Sequence, residues 1–281
     1  MQNKFASMAL LLALLCAVAA PLRAGPSLPD VTALLKQVQK NQARVEMDRE
    51  KYTFTDVEEQ DDVGRNGAVK KIAEKQYDVF FLHGYLIRRL VKKNGKPLSV
   101  SAQKKEDGRV AKLMEKYERT AAKKDRSDGR QVGIAVFLRT SRFTNPRWVT
   151  LRGRKVLAFD FYPNPTYKQR TKAERICHDL EGVAWVDPQA KEVVRLQAGF
   201  DGSFKIAGGL LASVEKGTTV TLEQTFVDGD VWLPSYDAFN AHLRLLLFKG
   251  LRLNFVNRYS GYRVFDVRSL SKIASPGNAK R

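Results

Sequence analysis

The sequence predicts a mainly β protein with helices: an antiparallel meander curled into a barrel or strongly curved sheet, its open side plugged by amphipathic helices. Three observations carry that expectation. From residue 132 onward the chain consists mostly of short runs rich in β-formers, separated by turn dipeptides. Helical periodicity is confined to a few stretches, and no enzyme motif built on histidine, cysteine or glycine interrupts the pattern.

Composition bounds the problem first. The chain has 281 residues, of which 43% are hydrophobic and 28% charged, enough for a packed core and too apolar for disorder. Its 49 Lys+Arg against 30 Asp+Glu give a formal net charge of +19, which calls for an anionic partner. Residues 1–24 redirect that inference. Lys4 precedes the uncharged apolar run Met8–Ala20, and Ala24–Gly25 is a plausible cleavage point, the layout of a secretory signal peptide. The bland alternative is an uncleaved anchor. Cys16 follows Leu15 where a lipid-attachment site wants a small residue. Residues 1–24 contain two basic residues, Lys4 and Arg23, and no acid. The remaining 257 residues therefore carry 47 bases, 30 acids and a single cysteine, Cys177, so no internal disulfide forms. Export to the periplasm makes anionic lipid a better counter-charge than nucleic acid.

Ser27-Leu-Pro-Asp30 reads as a capping box, followed by Val31, Leu34, Leu35 and Val38 on one helical face, with the helix running to about Asp48. Strand-like sequence begins at Tyr52, Phe54 and Val57, and Asn66-Gly67 and Asn94-Gly95 are hairpin turns. A basic helical stretch within 100–124 places Val110, Leu113, Met114 and Tyr117 together and ends at the Asp125–Arg130 cluster. Strand candidates then run Arg147–Arg152, Lys155–Tyr162, Gly182–Asp187, Glu192–Phe200, Phe204–Glu215, Thr218–Val227, Val231–Tyr236, Asn240–Lys249, Leu251–Tyr259 and Tyr262–Val267. A second basic helical insertion falls between Pro163 and Leu180. Residues 25–268 read as one domain and 269–281 as a basic, flexible tail.

Candidate chemistry is sparse. His83, His178 and His242 are isolated, and Cys177-His178 are adjacent, so their side chains diverge and form no dyad. Glu58-Glu59 and Asp61-Asp62 read as a solvated strand end, Asp228-Gly229-Asp230 as a hairpin turn, and Asp160 as a lone carboxylate without a second acid. The basic pairs spread over the whole chain are mostly a solubilising surface. Neither a catalytic set, a metal site nor a cofactor motif is expected. Strand aromatics are ordinary core by default. A curled sheet of this size does not easily fill itself, so an apolar cavity suited to acyl chains is expected, lined by Phe137, Phe143, Trp148, Phe159, Trp185, Phe226 and Trp232.

A set of turn and strand-start motifs resembles the periplasmic outer-membrane lipoprotein-sorting (LolA/LolB-like) superfamily, in an uncharacterised bacterial branch. They are Gly153-Arg154 before Val156–Tyr162 and Pro163-Asn-Pro165, Gly182-Val-Ala-Trp185-Val-Asp187, Val194-Arg195-Leu196 and Gly208-Gly209-Leu210-Leu211. Glu223-Gln224, Val231-Trp232-Leu233-Pro234, Leu245–Gly250 and Tyr259-Ser-Gly-Tyr262 complete them. The resemblance implies an incomplete antiparallel β-barrel, a half-shell with helices in its hollow. It also implies a non-enzymatic carrier of lipid or lipidated protein between inner- and outer-membrane transport proteins. The alternative is a structural or docking module of an envelope complex, with the same fold and a filled interior. The carrier's lid-contacting arginine does not map onto one particular residue here, and the two helical insertions are longer than a minimal carrier needs.

Overall fold

The computed structural model describes residues 27–64, 66–122, 134–206, 212–227, 231–245 and 250–264. The expected signal peptide, the tail, the Asp125–Arg130 helix stop and Asp228-Gly229-Asp230 lie outside them. The described chain runs α1 (Val31–Arg49), β1 (Tyr52–Val63), β2 (Val69–Leu82), β3 (Tyr85–Lys93), β4 (Lys96–Pro97), α2 (Val100–Ala122) and α3 (Ile134–Thr140). It continues through β5 (Ser141–Leu151), β6 (Arg154–Pro163), α4 (Lys172–His178), β7 (Leu180–Asp187), β8 (Glu192–Phe200), β9 (Phe204–Ile206) and β10 (Ala212–Val214). The last strands are β11 (Thr219–Val227), β12 (Val231–Leu245) and β13 (Leu251–Val264).

One antiparallel sheet joins the strands in the order β4-β3-β2-β1-β13-β12-β11-β8-β7-β6-β5, with β9 and β10 appended beside β12. Its two ends do not meet: it is an open, curved sheet with helices in its hollow, as the sequence predicts. Tight turns fix the hairpins. Asn94 and Gly95, and Arg152 and Gly153, all take positive φ, the backbone that two-residue hairpins demand. His83-Gly84 does the same between β2 and β3, so that histidine is a turn residue.

Several expected boundaries move. The cap of α1 is Asp30 rather than Ser27: Ala33 N–H donates to Asp30 Oδ1 at 2.9 Å. The run 134–140, which falls in the part expected to be mostly strand, is the short buried helix α3, because an apolar stretch this short has no periodicity to choose helix or strand. The second insertion forms α4, capped by a reciprocal Thr171–Glu174 box. The two strands expected over 231–249 are one, β12, through residue 245, and those over 251–267 are one, β13, through residue 264. Ser260-Gly261 does not end β13. Gly261 at φ +65° admits a bulge where the register with β1 shifts between Thr53 and Thr55. Gly182 allows close strand approach, since a Cβ there would lie 2.0 Å from the Gln197 carbonyl oxygen.

Strand alternation gives the sheet two faces. On the inner face Phe143, Trp148, Leu157, Phe159, Phe161, Ala184, Val186, Leu196, Ala198, Val220, Leu222 and Phe239 form an apolar floor with Leu34 and Val38 of α1, Val136 to Leu138 of α3 and Cys177 of α4. Phe159, Phe161, Leu157, Ala184 and Val186 are each 0% exposed. In contrast, α2 packs Val110, Leu113, Met114 and Tyr117 against Phe80 and Ile87 on the other face. Its Tyr117 stacks on Tyr85 with ring centroids 4.3 Å apart. This helix also lies along the β3 edge: Leu90 N–H donates to Glu106 Oε1 at 2.7 Å, and Arg109 donates to the Arg88 carbonyl oxygen. Two side chains thus cover the part of the β3 edge that the two-residue β4 leaves unpaired.

Candidate functional site

The inner face changes character beyond β12. Two residues along that strand from Phe239 stands Asp237, opposite Asn257 of β13, which lies opposite Glu58 of β1. Tyr259 faces Asp56 across the β13–β1 ladder, and Tyr77 of β2 faces Asp56 from the other side. Register therefore gathers six polar side chains on one patch, and Arg88 of β3 reaches into it. Arg88 Nη2 lies 2.6 Å from Asp56 Oδ2, and Nη1 donates to Glu58 Oε2 at 2.9 Å. Lys75 Nζ donates to Glu58 Oε1 at 3.2 Å, and the Arg88 guanidinium sits 3.9 Å over the Tyr77 ring. Asn257 Nδ2 donates to Asp237 Oδ2 at 2.8 Å, and Tyr259 donates to Asp237 Oδ1.

Electrostatics follow from that packing. Burial pushes the Asp56 carboxyl up to about 6, outweighing the Arg88 charge, and its Oδ1 is buried without a hydrogen bond among the described residues. Burial also acts upward on Glu58, but the hydrogen bond and charge of Arg88, with Lys75, hold it below the usual carboxylate range. Burial and then Asp237 push the Tyr259 hydroxyl far upward, so it stays protonated and donates. Arg88, Lys75 and Tyr259 each give at least one hydrogen bond to a carboxylate of the chain itself. The patch is an ion-pair network in which Asp56 Oδ1 and Arg88 Nε are buried without a hydrogen-bond partner among the described residues.

The sequence-predicted lining residues are divided between the faces. Phe137, Phe143, Trp148 and Phe159 belong to the inner apolar floor, with Phe137 on α3 rather than on a strand. Trp185, Phe226 and Trp232 lie on the opposite face, beside a buried cluster of Val156, Val194 and Trp232. There Arg195 stacks 4.9 Å over Trp185, and Arg154 stacks 5.0 Å over Phe226 and 5.5 Å over Trp232. Neighbours such as Ala184 and Trp185 point to opposite faces, and only the register decides which is inward.

Other candidates resolve into structure. Cys177 is buried, and His178 Nε2 lies 3.0 Å from the Asn164 carbonyl oxygen. Asp160 is held on the outer face by Arg147 and Asn145, each at 2.8 Å, whose hydrogen bonds keep its carboxyl below the usual range. Glu58, expected as solvated, is inside the ion-pair network. Among the described residues no three His, Cys, Asp or Glu side chains converge as a metal-ligand set. The residues that sequence reasoning missed are Asp56, Arg88, Asp237 and Tyr259. Their one visible signal was Arg88-Arg89 inside a strand, where adjacent residues must face opposite ways and one of them must turn inward.

Two adjoining cavities lie between α2 and β2–β3. The larger, about 420 Å³, is lined by Lys75, Tyr77, Leu86, Arg88, Leu90, Glu106, Arg109 and Leu113. The smaller, about 290 Å³, is lined by Leu90, Leu98, Ala102, Lys105, Glu106 and Arg109. None of the seven aromatics borders either.

Comparison with known protein families finds no matching family, and no curated protein matches the chain. Among solved structures, a domain from Vibrio parahaemolyticus provisionally assigned to outer membrane lipoprotein sorting is 12% identical with a TM-score of 0.36, covering 85% of this chain and 96% of that one. MucB, solved in complex with MucA(peri), is 9% identical with a TM-score of 0.22, covering 87% of this chain and 97% of that one. At these scores the fold description rests on the strand pairing itself. No helix among the described residues is long and apolar enough to cross a membrane.

Proposed function

We propose that this chain is a non-enzymatic docking module of the bacterial envelope, an exported half-barrel with a filled interior that works by presenting its surfaces to a membrane-linked partner. The observation that supports it is the state of the apolar floor. Leu157, Phe159, Phe161, Ala184 and Val186 are fully covered, and what covers them is the chain's own α1, α3 and α4. An acyl chain has no vacant seat there.

The second reading, a carrier of lipid or lipidated protein, is favoured by the way α1 is attached. Leu34 and Val38 pack into the apolar floor, Val45 is buried, and Asn41 Nδ2 donates to the Ala190 and Lys191 carbonyl oxygens at 3.2 and 3.3 Å. Exposing three such side chains costs about 1.5–3 kcal/mol each, and about 0.8 kcal/mol per buried methylene of an acyl chain could offset it. Hydrogen exchange separates the two readings. A docking module exchanges its α1 amides at the same free energy as β6–β8, with or without phospholipid vesicles. If α1 opens far ahead of the sheet and vesicles accelerate it, the filled-interior reading is wrong and the carrier stands.

A further inference from the structure

The groove along α2 combines two chemistries in adjacent lobes. The lobe of about 290 Å³ is walled by Leu90, Leu98, Ala102 and the stem of Lys105, whereas the lobe of about 420 Å³ brings Lys75, Arg88 and Arg109 together around Tyr77. Each lobe is near the lower end of the about 300–1,000 Å³ typical of small-molecule sites. Leu86, in the wall of the larger lobe, is 43% exposed, so the groove offers apolar surface to solvent.

Charge within the groove is unbalanced. Four cations border the two lobes against one carboxylate, Glu106. That carboxylate is committed: it accepts from Leu90 N–H at 2.7 Å, from Arg109 Nη2 at 2.7 Å and from Arg109 Nε at 2.8 Å. Arg88 is consumed by Asp56 and Glu58. Two cations keep spare donors towards the larger lobe. Lys75 gives one hydrogen bond, to Glu58, and Arg109 uses Nε and Nη2, leaving Nη1. Lys105 forms no ion pair among the described residues.

We propose that this groove binds a single-chain anionic amphiphile, its acidic head group held by Lys75 and Arg109 in the larger lobe and its acyl chain laid along Leu90, Leu98 and Ala102 in the smaller. The site is separate from the apolar floor and independent of whether α1 opens. A phosphate head and a carboxylate head present the same chemistry to these two cations. The fit comes from pairing an apolar lobe with a cationic one.

Isothermal titration of the whole exported chain with dodecyl phosphate, below its micellar concentration, tests the proposal against neutral dodecyl maltoside and inorganic phosphate. One dodecyl phosphate binds per chain, at least ten-fold more tightly than either control. Lys75→Met reduces the preference over the maltoside to less than three-fold, and Glu58 keeps Arg88, so folding is retained. Ala102→Trp, at a half-buried helix position, fills the apolar lobe and weakens binding at least ten-fold. Equal affinity for the charged and neutral detergents overturns the proposal. So does inorganic phosphate binding as tightly as its dodecyl ester, or unchanged binding by Ala102→Trp, which would place the ligand elsewhere. Neither substitution touches the inner floor, so failure here leaves the docking reading to its own exchange test.

Discussion

From β5 to β11 the inner face is hydrocarbon pressed upon by three helices, while from β12 to β3 the same face carries three carboxylates, a guanidinium over Tyr77 and a hydrogen-bonded Tyr259. Pairing is antiparallel in both regions, although β12, β13, β1 and β2 run 12–15 residues against 8–11 for β5 to β8 and β11, so one kind of ladder supports both. The first region is held by shape, because dispersion and burial depend on volume and not on pH. The second is held by pairing, and its members gain little unless all partners are present. The two should fail under opposite perturbations.

The largest effect is expected in the apolar half. Phe159→Ala removes a fully buried ring and should cost about 3–5 kcal/mol in urea unfolding, with little dependence on pH. A loss below about 1 kcal/mol would mean the floor collapses easily and is not the tight core described. Next comes the polar half. Arg88→Met strips Asp56 and Glu58 of their common cation and should cost about 2–4 kcal/mol at pH 8. At pH 5 the loss should shrink, because Asp56, pushed up to about 6, already holds a proton. A loss independent of pH would show that Arg88 matters through its packing on Tyr77.

Glu192, the first residue of β8 and buried beside α1, sharpens the contrast because it is a carboxylate inside the apolar half. Burial pushes its carboxyl up to about 7 against the charges of Arg44 and Arg49, with Asp187 and Asp48 adding to the rise. Between about pH 4.5 and 7 the unfolded chain ionises this group while the folded chain keeps it protonated. Stability therefore falls as pH rises through that window. Glu192→Gln should remove the fall, adding about 1–2 kcal/mol at pH 8 and nothing at pH 4. Thermal melts across pH check it, and a destabilised variant at pH 8 would reverse the sign of the argument. The smallest effect belongs to α4: Thr171→Ala should cost about 1 kcal/mol by deleting the capping box over Glu174.

Legibility followed the same division. Strand β8 was read at its true ends, and α1, α2 and the Asn-Gly and Arg-Gly turns were read from local chemistry alone. Local rules missed what long-range pairing decides. Residues 237–239 look like a break between strands because of Asp237, yet Asp237 continues β12 because Asn257 and Tyr259 await it on β13. Ser260-Gly261 looks like a turn and is a bulge. Arg88 and Asp237 lie far apart in sequence, and no spacing rule joins them. The seven aromatics divided between faces for a related reason, since a one-residue change of register exchanges the faces of a strand.

The pairing of β1 with β13 has a kinetic consequence. Tyr52 lies opposite Val264, so the second described element cannot complete its ladder until the last strand has been made. During synthesis β1–β3 can form a three-stranded meander early, capped by α2 on one side, but with the β1 edge open. Closing that gap spans over two hundred residues, a contact of high sequence separation whose entropy must be met before it stabilises anything. Docking of β13 between β1 and β12 is thus the longest-range closure among the described strands, and slow folding is expected to trace to it.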